Sequence, residues 1–155
     1  ELQGFLVGFA GPRTQEHDQP FALSRLLLLP ENRGLTGAVN AGIRAAAGEI
    51  IALLNNDAEA EPAWVEALVA ALEAHPDAGS VASKMLLYDR RDVLNSAGDT
   101  YGRNGLPANR GVWEQDAGQY DDQIEIFGAC GGAVAYRKAM LDEIGLFDEE
   151  LFMYC

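Results

Sequence analysis

LLLLPENRGLTGAVNAGIRAAAGEIIALLNND, residues 26–57, decides the fold. Residues 26–29 are an unbroken apolar run, as a strand covered on both faces requires, and Pro30 ends it. Residues 37–47 are rich in alanine, with Val39, Ile43 and Ala46 spaced for one helix face and Gly48 placed as a C′ glycine. Residues 49–54 (EIIALL) make a second buried strand that stops at Asn55-Asn56-Asp57. Outward from this unit the alternation continues. Residues 5–9 read as a short strand and residues 11–20 as a polar loop. Pro62 opens a helix with the apolar stripe Val65, Leu68, Val69 and Leu72, and His75-Pro76-Asp77 closes it. Residues 81–88 and 93–97 read as strands, 98–122 as a long Gly-, Asn- and Asp-rich loop, and 137–144 as a short helix. The fold class that follows is α/β, a mostly parallel sheet flanked by helices. Ligands of such sheets bind beyond the carboxyl ends of the strands, where residues 32–40 and 55–57 fall.

Composition bounds the function. The chain has 155 residues, 48% hydrophobic and 23% charged, enough for one globular domain. A net charge of −13, from 11 basic and 24 acidic residues, argues against a nucleic-acid surface and against polybasic membrane docking. No apolar run approaches the roughly 18–20 residues that span a bilayer, and no basic signal-peptide region precedes residue 5. Cys130 and Cys155 form no disulfide framework, so reduced thiols in a cytoplasmic setting are the default. The opening strand signal and the apolar close at residues 151–155 read as cut ends of a larger enzyme.

Three constellations carry chemistry. Asn55-Asn56-Asp57 is either a turn that caps the next helix or an oxygen site for Mn²⁺ or Mg²⁺, completed by substrate phosphates. Asn32 to Gly42 (NRGLTGAVNAG) is a loop and helix start whose small residues let a nucleotide approach backbone N–H groups. Asp57, twenty residues after Gly37, imitates a dinucleotide-binding arrangement, although the glycine spacing departs from G-x-G-x-x-G. Residues 127–133 (FGACGGA) are either a tightly packed segment or a pocket wall lined by backbone. Cys130 has no neighbouring histidine in sequence and no metal-ligand spacing, and His17 and His75 sit in loops.

The order of these motifs resembles the nucleotide-sugar-binding half of family 2 glycosyltransferases with the GT-A fold, and within them the rhamnosyltransferase type. The similarity runs from Asn32 to Asp57 through Pro62-Ala63-Trp64-Val65, Ser83-Lys84, Phe127 to Arg137 and Gly145-Leu146-Phe147-Asp148-Glu149. The resemblance implies one partial GT-A domain over residues 1–155, with 26–97 as the nucleotide-sugar half and 98–155 as the acceptor side. It implies that Asn55-Asn56-Asp57 is the counterpart of the family's D-x-D motif, Asp57 holding Mn²⁺ or Mg²⁺ against the donor diphosphate. Asn32, Gly34 and Asn40 would then line the nucleotide side together with Asn55 and Asn56. Cys130, Gly131 and Gly132 would meet donor sugar and acceptor.

The implied reaction is inverting transfer from a UDP- or dTDP-linked sugar to a hydroxyl of a glycan or lipid-linked acceptor, in cell-wall or polysaccharide synthesis. Its place is the cytoplasm, at the inner face of the membrane through other parts or partners. Residues 1–25 lack the family's opening strand and D-N-x-S-like motif, and the family's general base falls beyond Cys155. A weak or inactive fragment is therefore expected. Glu125, Asp148, Glu149 and Glu150 are the acidic residues near that region, read as helix-end and surface charge. The alternatives are a non-catalytic nucleotide- or glycan-binding module and an NAD-binding Rossmann domain.

Overall fold

A computed structural model of the chain describes residues 5–9 and 25–152. The loop read at residues 11–20, His17 and Cys155 lie outside them. Two compact units divide the chain, residues 1–51 with 138–155 and residues 52–137.

In the first unit, β1 (Phe5–Phe9) pairs with β2 (Arg25–Leu29) in parallel, from Phe5 opposite Arg25 to Phe9 opposite Leu29. The expected coverage of β2 on both faces is not met. Leu26 and Leu28 are 62% and 58% exposed while Leu29 is buried, the two-residue period of a strand with one open face. Helix α1 (Gly34–Ala45) starts three residues before the sequence pattern suggested, and buries Gly34, Thr36, Gly37, Ala38, Asn40 and Ile43. It ends at Ala46, whose extended backbone still donates to the Gly42 and Ile43 carbonyls. Gly48 therefore does not serve as a C′ glycine. That role belongs to Gly145 (φ +96°), which closes α3 (Lys138–Ile144) by donating to the Leu141 carbonyl.

β3 (Ile50–Leu54) buries Ile51 and leaves Ala52 and Leu54 exposed, so it too is half-covered. Its last three residues belong to the second unit. There α2 (Trp64–Ala74) packs on β4 (Ser80–Ala82) through the expected stripe, with Leu68 and Leu72 buried. Short strands follow: β5 (Met85–Leu86), β6 (Leu94–Ser96), β7 (Asp99–Tyr101) and β8 (Pro107–Asn109), then β9 (Ala133–Arg137). β9 lies between β3 and β4 in a three-stranded sheet.

The α/β class holds, and the expected mostly parallel sheet is not shown among the described residues. β4–β9, β5–β6 and β7–β8 are antiparallel, and β1–β2 is the pair with a parallel register. Parallel neighbours need a long crossover, usually a helix, and from β4 to β9 the described chain has none. Residues 98–122, read as an unpatterned loop, contain the β7–β8 hairpin instead.

Arg137, the last residue of β9, closes the far end of α2. Its guanidinium donates to the carbonyls of Leu72 in the last turn and of His75 and Ala78 just beyond it. Leu72, Leu94 and Val134 are wholly buried. Leu72→Ala should cost about 2–5 kcal/mol of unfolding free energy, measurable by chemical denaturation, because a packed interior refills such a cavity only in part.

Candidate functional site

The turn after β3 is built from its backbone. Asn55 donates its N–H to the Gly132 carbonyl (2.9 Å), and Ala58 donates back to the Asn55 carbonyl (3.2 Å). The first bond joins two segments that the sequence reading singled out separately, 55–57 and 130–132. Gly132 fits closely here, since a Cβ would lie 3.0 Å from the Met85 methyl and 3.8 Å from Asn55 Nδ2. Gly131 faces open space, and Cys130 is a half-buried free thiol.

Asn55, Asn56 and Asp57 are all exposed. Among the described residues the Asp57 carboxylate has no hydrogen-bond or ion-pair partner. Nor does the triplet cap α2, whose N-cap residue Ala63 lacks any side-chain cap bond. Among the described residues no group of three or more His, Cys, Asp or Glu could hold a metal ion. One free carboxylate suits a cation that arrives on a diphosphate, because Mg²⁺ commonly takes one or two carboxylates and completes its shell with phosphate oxygens and water.

Asn32, Gly34 and Asn40 belong to the first unit, where their polar groups are engaged by the protein. Asn32 Oδ1 accepts from the Gly34 N–H (2.9 Å). Gly34 has φ +72°, and a Cβ on it would overlap the Phe152 carbonyl. That carbonyl accepts from the Leu35 N–H (2.9 Å), and the Leu151 carbonyl accepts from Thr36 Oγ1 (2.6 Å). The start of α1, expected to receive a nucleotide, is thus occupied by residues 151 and 152. Asn40 is 1% exposed and gives its amide hydrogens to the Phe147 carbonyl (2.7 Å) and Glu149 Oε1 (3.1 Å), while its oxygen accepts from the Phe147 N–H (3.1 Å). Glu149 also pairs with Arg33 and with Arg44 (3.0 Å). Of the four acidic residues noted near the chain end, Glu149 is this clasp, Asp148 caps the Glu150 N–H, and Glu125 and Glu150 are exposed.

Lys84, in the second unit, was quoted in the sequence only as part of a motif. Its ammonium lies 2.9 Å from Asp116 and 2.8 Å from Asp121, whose hydrogen bonds hold its pKa above the ordinary lysine value. Residues 80–84 separate two open clefts. One, of about 270 Å³, is closed on its other side by Arg110, Tyr120, Asp121, Gln123, Ile124 and Ile126. The other, of about 260 Å³, is walled by Trp64, Ala67, Leu68 and Ala71. Trp64 Nε1 donates to Ser83 Oγ (2.8 Å) at the mouth of the second. Neither cleft includes residues 55–57 or 130–132. Asp99, also unmarked in the sequence, has its carboxyl pKa raised by burial.

The family profile described as "Glycosyl transferase family 2" matches residues 14–145. A curated relative, the glucosyl-dolichyl phosphate glucuronosyltransferase of Haloferax volcanii, is 38% identical over 56 residues. That match covers 36% of this chain and 18% of the relative.

The clasp in the first unit should show itself in acid. Hydrogen bonds from Asn40 and Arg44 hold the Glu149 pKa below the ordinary glutamate value of 4.5. A carboxylate depressed in the folded state stabilises fully above its unfolded value and loses that contribution as pH falls through the folded one. The stability difference between wild type and Glu149→Gln should be present at pH 7 and vanish as the pH drops below 4.5. Denaturation of both proteins across that range measures it.

Proposed function

The chain belongs to glycosyl transferase family 2, and from that premise we propose that it transfers a sugar from a nucleotide-sugar donor to an acceptor hydroxyl on a GT-A scaffold. The observation that carries the reading is the uncommitted, exposed carboxylate of Asp57 on a turn bonded to the Gly132 carbonyl. A divalent cation delivered with the donor would neutralise charge growing on the departing diphosphate. Asp57 would hold that cation, with Asn55 and Asn56 beside it as amide partners for the diphosphate or sugar. Gly131, with open space where a side chain would stand, lets a ligand ring approach the backbone. Asn32, Gly34 and Asn40 would line the nucleotide side of the donor half, where Asn40 also fastens Phe147 to α1 and Asn32 Oδ1 accepts the Gly34 N–H.

We assign the donor to the UDP- or dTDP-linked sugars, rhamnose-type donors among them, and the stereochemistry to inversion. A relative named for glucosyl-dolichyl phosphate supports a lipid-linked or glycan acceptor. No helix among the described residues is long and apolar enough to cross a membrane. From the family resemblance alone we place the reaction in the cytoplasm, at the membrane's inner face through other parts or partners. The NAD-binding alternative loses support from geometry. A pyrophosphate at the start of α1 would need N–H groups already engaged, Leu35's by the Phe152 carbonyl and Gly34's by Asn32 Oδ1.

Calorimetric titration with UDP, dTDP and NAD, each with and without Mn²⁺, tests the reading. Metal-dependent binding of a nucleoside diphosphate, weakened about tenfold or more in Asp57→Ala and partly kept in Asp57→Glu, is the expected result. Binding of NAD without metal, or nucleotide binding indifferent to residue 57, overturns it.

A further inference from the structure

The β7–β8 hairpin presents one face whose chemistry has no structural use. Its register pairs Asp99 with Asn109, Thr100 with Ala108 and Tyr101 with Pro107. Backbone bonds from Gly102 to Leu106 and from Arg110 to Gly98 flank the ladder. Antiparallel pairs alternate, so Thr100–Ala108 is the hydrogen-bonded pair, and the other two are the close, non-hydrogen-bonded kind. Residues 99, 101, 107 and 109 consequently share one face, with their side chains near one another across the strands.

Phe127 joins that face. Its ring stacks on Tyr101 with centroids 5.3 Å apart and 20° between planes. The neighbouring Gly128 carbonyl accepts the Asp99 N–H (2.8 Å). An aromatic pair normally forms to leave water, yet Tyr101 is 54% and Phe127 74% exposed. Beside them Asp99 Oδ1 is buried with no hydrogen-bond partner, and the exposed Asn109 amide has none among the described residues. A buried carboxylate oxygen without a donor is costly unless something supplies one. The two-fold terminal torsion of aspartate only exchanges its oxygens, so an incoming hydroxyl meets Oδ2, the one that is not buried.

Flat apolar ledge and paired carboxylate and amide answer one chemical class. A pyranose ring offers a patch of C–H bonds to lie on Tyr101, Pro107 and Phe127, and vicinal hydroxyls to donate to Asp99 and to exchange bonds with Asn109. We propose that this face binds a pyranose of the acceptor glycan; its assignment to the acceptor rests on the glycosyl-transfer reading, while the carbohydrate chemistry does not.

The test is titration of the full chain with methyl pyranosides of glucose, galactose, mannose and rhamnose, followed residue by residue by NMR. A parallel titration uses UDP with Mn²⁺. The expected result is a saturable shift confined to Asp99, Tyr101, Asn109 and Phe127 with at least one sugar. Tyr101→Ala should weaken it by about tenfold, as loss of an aromatic partner does, and leave UDP binding intact. Asn109→Ala and Phe127→Ala provide independent variants, with circular dichroism confirming that each stays folded. The proposal is overturned if no sugar shifts these residues, if the shifts fall elsewhere, or if all three variants bind as wild type does. Absence of UDP binding alongside intact sugar shifts would sink the transfer reading and leave the carbohydrate face standing.

Discussion

One backbone hydrogen bond, from the Asn55 N–H to the Gly132 carbonyl, organises the second unit's chemistry. It lies where β3 runs out and just before β9 begins, so a turn of polar residues is fixed to a segment with almost no side chains. Its consequence is positional. The Asp57 carboxylate is exposed on that turn, and a Cβ at Gly131 would meet open space. A Cβ at position 132 would press on the Met85 methyl at 3.0 Å, which would have to give way.

The first unit solves a different problem by similar means. Here a side-chain amide does the joining: Asn40 binds both the N–H and the carbonyl of Phe147, imitating a strand partner from within a helix. Arg33, Arg44 and Asn40 then converge on Glu149, so a short segment without regular structure is held at several points. A buried amide with its bonds satisfied fixes one arrangement, because any other would strand polar atoms away from water.

What the sequence made legible follows from range. Helices α1 and α2 and strands β2 and β3 declare themselves through local periodicity, and the polar triplet at 55–57 through its place after a strand. The half-exposure of β2 was hidden, since four leucines in a row carry no alternation. The β7–β8 hairpin was hidden because both its faces carry mixed residues. The one available cue was Asn104-Gly105 between two short runs, a turn-forming pair. Asn40 with Phe147 and Lys84 with Asp116 and Asp121 were beyond reach. Contacts 107 or 37 residues apart leave no periodic trace in a single chain. Family resemblance pointed to Asp57 and Gly132, but not to the hydrogen bond that unites their segments.

Pro107 gives the hairpin a property of its own. At a non-hydrogen-bonded position of β8 the backbone nitrogen points away from β7, toward the free edge, and proline has no hydrogen there to offer. An incoming strand would find that rung of the ladder missing. Edge-to-edge aggregation, the usual hazard of a small open sheet, is thereby discouraged, and the hairpin can keep a sticky aromatic surface without polymerising through its rim.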